Sequence, residues 1–246
     1  MKLTLEKDGR RYSFQTEKGM DLSISLNPKG PRAWYVEPMR IEPVRTEQFL
    51  GSVAEGGAVN FRDVYFNPHG HGTHTENVGH IIDTDLPVIN SISSSHFFAN
   101  LISVELKNED QDLVVSEESL EGFDLNVEAL IIRTKPNDHS KMQRQYSGTN
   151  FPYLTVGAMQ QIIDAGVQHL LVDLPSVDRE EDGGALAAHH LFWNVPANPN
   201  LQKTITELIY VPNEIVDGTY VLNLQVSNFA NDAAPSRPML FGLMEE

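Results

Sequence analysis

Alternation of apolar and polar residues dominates this chain, and it predicts strands more often than helices. Lys2–Leu5 and Arg11–Gln15 flank Lys7-Asp8-Gly9-Arg10, and an Asp-Gly pair between alternating segments predicts a hairpin. Leu22–Leu26 alternates as a half-buried strand does, ahead of an irregular connection at Asn27-Pro28-Lys29-Gly30-Pro31. Val59–Phe66 alternates again and leads into a stretch rich in histidine and glycine. Further strands are expected at Leu101–Leu106, Ala129–Thr134, His169–Leu174, Glu207–Val211 and Tyr220–Val226. Helical spacing occurs in Val156–Ala165, where Met159, Ile162 and Ile163 form an apolar stripe between an N-cap at Thr155 and a C′ glycine at Gly166. A second helix is expected over Gly184–Trp193. Lys107–Gly122 is acidic and polar, and Lys135–Thr149 is rich in turn formers, so both read as surface excursions. Many strands and few helices predict an α/β domain built around a large, partly antiparallel sheet, with residues 1–20 as an N-terminal hairpin extension.

Composition narrows the chemistry. The 246 residues carry a formal net charge of −16, which disfavours nucleic acid as a partner because its phosphates would be repelled. No stretch approaches the roughly 18 apolar residues of a membrane helix, and Met1-Lys-Leu-Thr-Leu-Glu-Lys lacks the pattern of a secretory signal. The chain has no cysteine, which excludes disulfides and thiolate metal sites and is in keeping with a cytoplasmic protein. An acidic chain with nine histidines has ample oxygen and nitrogen ligands for a divalent cation. Six of the nine cluster: His69, His71, His74 and His80 in one segment, His189 and His190 in another.

The first segment runs Asn67-Pro68-His69-Gly70-His71-Gly72-Thr73-His74-Thr75-Glu76-Asn77-Val78-Gly79-His80. Its glycines argue against a helical zincin motif. In extended backbone residues two apart share a face, so His74 and Glu76 point the same way and form half of a zinc or manganese site. A polar loop whose histidines only cap or hydrogen-bond is the alternative, and so many ligand-type residues this close together weigh against it. In the second segment, Ala187–Trp193, burying one imidazole against aromatics would equally explain His189 and His190. Glu207 begins an apolar run that would carry it inward, where a metal or an arginine such as Arg133 or Arg237 would satisfy its charge.

Gly72-Thr73-His74, Glu76 and His80 resemble, at matching offsets, the H-x-G-T-H-x-D-x-P-x-H pattern of the cyclase family of metal-dependent hydrolases, which includes bacterial kynurenine formamidase and isatin hydrolase. Val172-Asp173-Leu174-Pro175-Ser176-Val177-Asp178 is similar to the family's D-x-P-S-x-D stretch, Asp21-Leu22-Ser23 to its early D-x-S, and Ala234-Pro235-Ser236-Arg237 to its closing S-P-x-R element. The resemblance runs from about Asp21 to the C-terminus. It implies a single cyclase-like domain over residues 1–246, with a mixed, partly barrel-like sheet and a few outer helices. It also implies His74, Glu76, His189 and Glu207 as metal ligands and His80 as general acid/base. The family's first histidine falls on Gly70 and its motif proline on Val78. His71 or His69 could replace the missing ligand if the glycines bend the backbone, although in a straight strand both would face away from His74. One metal, rather than a pair, is therefore expected.

The resemblance implies a hydrolase that cleaves a C–N amide bond, with zinc, or alternatively manganese, as its metal. N-formylkynurenine, an intermediate of tryptophan catabolism, is the leading small-molecule substrate, and Trp34, Tyr35, Phe61 and Phe66 could line a pocket for its ring. Lactam or lactone ring opening is the alternative reaction, and a non-catalytic binding protein with a degraded metal site is the alternative class. No G-x-S-x-G elbow supports a serine route. The family habit implies a homo-oligomer, a dimer or tetramer, and the N-terminal hairpin and Lys135–Thr149 are candidate contact or lid elements.

Overall fold

The computed structural model describes residues 1–7 and 9–245. Its centre is a nine-stranded mixed sheet built from β1 (Met20–Asp21), β2 (His74–Glu76), β3 (His96–Glu105), β4 (Ala129–Lys135), β5 (His169–Val172), β6 (Thr204–Glu207), β7 (Gly218–Asn223), β8 (Ala233–Pro235) and β9 (Met239–Gly242). The order across the sheet is β8-β2-β6-β5-β4-β3-β7-β9-β1. The middle strands β6, β5, β4 and β3 run parallel; β2 and β8 extend the sheet antiparallel on one side, and β7, β9 and β1 on the other. The result is the mixed α/β architecture with a curled, half-barrel sheet that the resemblance implies.

Parallel strands covered on both faces read as continuous apolar runs, and β4 and β5 do so. Leu130, Ile132, Leu170 and Val172 pack toward Met159 and Ile162 of α1 (Val156–Asp164) and Phe192 of α2 (Ala187–Phe192). Ala129, Ile131 and Leu171 face the other way, against Leu22, Ile209 and Leu222. Thr155 caps α1 by accepting from the Ala158 amide, and Gly166 follows with φ +85°.

Several elements differ from expectation for identifiable reasons. The strand expected at Glu207–Val211 ends at Glu207, because Leu208 adopts a left-handed backbone (φ 53°) and turns the chain. Leu22–Leu26 contributes only an isolated bridge from Ser23 to Ile209 beyond β1. Within Val59–Phe66 only Arg62–Tyr65 is a strand, and it pairs with Arg40–Pro43 as an exposed two-stranded ribbon. The second helix is shorter than Gly184–Trp193, since Leu186 is also left-handed (φ 43°). Lys107–Gly122 carries a short hairpin whose Val114 and Val115 are buried. Lys135–Thr149 is anchored by Lys141, buried against Asp173 at 2.7 Å. The N-terminal strands pair as expected, from Lys2↔Gln15 to Lys7↔Arg10, and Met244–Glu245 adds a third strand. Asp8 of the expected turn lies outside the described residues. Phe14 fastens this small sheet to Val221 and Phe241. Among the described residues no helix is long and apolar enough to cross a membrane.

Candidate metal centre

The site sits where β2 pairs with β6. Antiparallel register sets Glu207 opposite His74 and Ile205 opposite Glu76, and directly opposed residues share a face. Ile205 belongs to the helix-side core, so His74, Glu76 and Glu207 emerge beneath α2, which supplies His189. On the reverse face Thr75 and Thr206 join their hydroxyls at 2.8 Å. Each threonine is thus a spacer that turns its neighbours toward the site.

The imidazoles are oriented from outside. His74 Nδ1 lies 3.0 Å from the Gly72 carbonyl; a carbonyl only accepts, so Nδ1 donates to it and Nε2 points inward. That inward nitrogen lies 3.4 Å from Glu207 Oε2 and has no hydrogen-bond partner among the described residues. His189 Nδ1 donates to Asp178 Oδ2 at 2.6 Å, and its Nε2 lies 3.1 Å from Glu76 Oε1. Glu76 Oε2, also without a hydrogen bond among the described residues, lies 3.0 Å from His69 Nδ1. His80 stands on a one-turn helix (Val78–His80) started by Asn77, whose side chain accepts from the Gly79 amide. Its Nδ1 is 3.6 Å from Asp232 Oδ2 and 3.9 Å from Glu76 Oε2.

Charge is concentrated and buried here. Burial opposes ionisation of Glu76, but His80, His189 and His69 outweigh it and hold the carboxyl well below its usual range. Burial likewise works against protonated His69 and His189, yet Asp232 and Glu76 push the first up to about 10, and Asp178 and Glu76 push the second up to about 10. Without another cation, the imidazoles must offset the carboxylates.

A divalent metal fits this donor set. His74 Nε2 and Glu207 Oε2 face one another at 3.4 Å in the buried site, and a cation held between them would be ligated by both. Nitrogen and oxygen donors without thiolates suit zinc or manganese. His69, His74 and Glu76 offer ligand atoms within 4.8 Å of one another, as do Glu76, His80 and His189.

The centre opens into a cavity of about 290 Å³ lined by Trp34, Asn67, Ser176 and Leu186 together with the cluster. A wider depression of about 740 Å³ lies elsewhere, beside Arg133 and Asp217. There Arg133 is already engaged by Ser103 Oγ, the Pro212 carbonyl and Asp217, so the smaller cavity is the better candidate.

The cyclase family model ("Putative cyclase") matches residues 20–179. This chain belongs to the cyclase family. No curated protein matches it. Solved structures share its fold at low identity. A potential metal-dependent hydrolase with cyclase activity matches at 15% identity and TM-score 0.65, over 92% of this chain and 98% of the other. An isatin hydrolase bound to the product analogue thioisatinate matches at 12% identity and TM-score 0.65, over 93% of each chain. Isatin hydrolase A from Ralstonia solanacearum matches at 17% identity and TM-score 0.63, over 93% of this chain and 92% of the other.

Of the residues that the cyclase pattern singled out, the structure gathers His74, Glu76, His80, His189 and Glu207, and adds His69. His71 is not brought in: its Nδ1 accepts from the Asn67 amide at 2.8 Å and its Nε2 donates to the Glu37 carbonyl at 2.7 Å. Neither arginine reaches Glu207, because Arg133 pairs with Asp217 and Arg237 with Asp21. The Arg237 pair ties the early D-x-S element to the closing P-S-R element. Of the four candidate aromatics only Trp34 lines the cavity; Tyr35 and Phe61 are exposed, and Phe66 packs on Phe229. Sequence reasoning missed the roles of Asp178, hidden inside a motif quoted for its resemblance alone, and of Asp232, which carried no signal.

Proposed function

We propose that this protein is a metal-dependent hydrolase that cleaves a C–N bond next to a carbonyl, with His74, Glu76, His189 and Glu207 holding the metal. The observation that carries the reading is the buried His74 Nε2, turned toward Glu207 Oε2 at 3.4 Å with no hydrogen-bond partner among the described residues. When bound, a divalent cation supplies Lewis acidity that polarises a carbonyl and lowers the pKa of water. The chain's own residues supply the rest. Asp178 holds the His189 ring in place, and the Gly72 carbonyl does the same for His74. His80, the most open of these histidines with 30% of its side chain exposed, lines the cavity where substrate enters. That position supports His80 as the group that takes a proton from the attacking water and delivers it to the leaving nitrogen. Trp34 and Leu186 give the cavity apolar walls, and Asn67 and Ser176 give it neutral hydrogen-bonding groups.

An aryl amide such as N-formylkynurenine is the first substrate to test. Opening of a compact lactam ring is the second reading. It is favoured by the small cavity and by its lining, where the described residues include no arginine or lysine to meet an amino-acid carboxylate. Formate release from N-formylkynurenine and ring opening of isatin, each with zinc or manganese, separate the two. Release of formate supports the first reading, turnover of isatin alone supports the second, and failure on both substrates by fully metallated protein counts against this reaction class.

A further inference from the structure

The residue that the family pattern lacks at Gly70 has a candidate replacement whose geometry parallels that of His189. We propose that His69 is the metal ligand that takes over this role, and that Asp232 is the positioning carboxylate that enables it. This inference rests on the metal-centre reading above.

Gly70 itself leaves no room for a side chain. A Cβ there would lie 2.8 Å from Val36 Cγ2 and 3.3 Å from the Ala33 carbonyl, and the Gly70 carbonyl is engaged by the Ala33 amide. The adjacent His71 is held in the loop by both ring nitrogens. His69 instead reaches the cluster from one residue earlier, with Nδ1 3.0 Å from Glu76 Oε2 and Nε2 3.0 Å from Asp232 Oδ2.

This arrangement mirrors that of His189. There the outer nitrogen meets Asp178 and the inner nitrogen meets Glu76 Oε1. Two imidazoles, each backed by an outer carboxylate, thus approach the two oxygens of Glu76 from different sides. Carboxylate-backed histidine is a common way of fixing a metal ligand's orientation and tautomer. His80 is a weaker claimant on Asp232, since 3.6 Å exceeds hydrogen-bond reach.

Asp232 is held by its own backbone. Its carbonyl accepts from the Asn77 amide at 3.1 Å, and the next residue, Ala233, stands in register with Glu76. Main-chain pairing therefore sets the carboxylate beside the metal-facing end of β2.

Cobalt(II) titration of chelator-stripped protein, followed by visible absorption and by competition with a chelator, tests the proposal. His69→Ala is expected to weaken cobalt binding by at least about 100-fold and to change the cobalt spectrum. Asp232→Ala should weaken it by about 10- to 100-fold, Asp232→Glu should recover part of that loss, and His71→Ala should leave affinity nearly unchanged. In the double variant, Asp232→Ala should add nothing to His69→Ala, because a positioning residue acts only through its ligand. His69→Gln serves if the alanine variant does not fold. Wild-type affinity and spectrum in a folded His69 variant would overturn the ligand role, and additive losses would overturn the positioning role. If His74→Ala also bound cobalt like wild type, the metal-centre reading itself would be at fault.

Discussion

Asp178→Asn probes the centre without touching an inward-facing ligand atom. One carboxylate serves three donors: Oδ1 accepts from the Ala188 amide at 2.7 Å, and Oδ2 accepts from the His189 amide at 3.1 Å and from His189 Nδ1 at 2.6 Å. The two amides lie in the first turn of α2, where backbone donors lack helical partners. Exchanging one oxygen for NH2 sets donors against donors. If the amide NH2 faces His189, the ring is satisfied only by moving its proton to Nε2, the nitrogen that must stay bare to bind metal. Loss of such a support costs about 10- to 100-fold in metal affinity, or roughly 1.4–2.8 kcal/mol. Asp178→Ala should in addition unfold more readily, since it strands both helix amides at about 1–3 kcal/mol each. Metal affinity by chelator competition, beside denaturant unfolding of the stripped protein, separates the two effects. Asp21→Asn is the control, because Asp21 contacts Ser23 and Arg237 rather than a metal-facing histidine and should change stability with little effect on metal affinity. Wild-type metal affinity in Asp178→Asn would refute the tautomer argument.

Metal binding near pH 8 should release about two protons, because His69 and His189 are each pushed up to about 10 in the metal-free protein and must shed a proton to ligate; calorimetry in buffers of different ionisation heat measures this, and release near zero would contradict it. In metal-free protein the raised values imply that these two rings stabilise the fold fully below pH 6.5 and lose that contribution as pH rises toward 10. His169 works in the opposite direction: burial pushes it down to about 4, so its stability contribution is complete above pH 6.5 and falls by roughly 3 kcal/mol as pH drops toward 4. His169→Gln should flatten that part of the pH–stability curve, and an unchanged slope would refute the assignment. Lys141→Met should destabilise by about 3–5 kcal/mol because it leaves Asp173 buried without its cation; denaturant unfolding checks this, and a change below about 1 kcal/mol would show that another group neutralises Asp173.

Much of the core was legible because periodicity is a local property. The apolar runs of β4 and β5 and the capped stripe of α1 identify themselves within a few residues. The pairing of His74 with Glu76 followed from the two-residue repeat of extended backbone, and it survives as β2. What failed depended on distant contacts. The same repeat set both His69 and His71 away from His74, yet one turns in and the other out. That outcome depends on Gly72 (φ 126°) and on packing of Gly70 against Val36 and Ala33, which no spacing rule encodes. Glu207 reached the site from the end of its strand rather than the start, because Leu208 turns the chain. Asp232 meets His69 across 163 residues of sequence, brought there by strand pairing alone.

Hydrolysis of an N-formyl aryl amide and of isatin, before and after removal of bound metal, reads out the metal requirement itself. With metal content verified by elemental analysis, turnover of at least one substrate should be lost on stripping. It should return on adding zinc or manganese and be absent from metallated His80→Ala. Undiminished turnover in protein shown to be metal-free would contradict it.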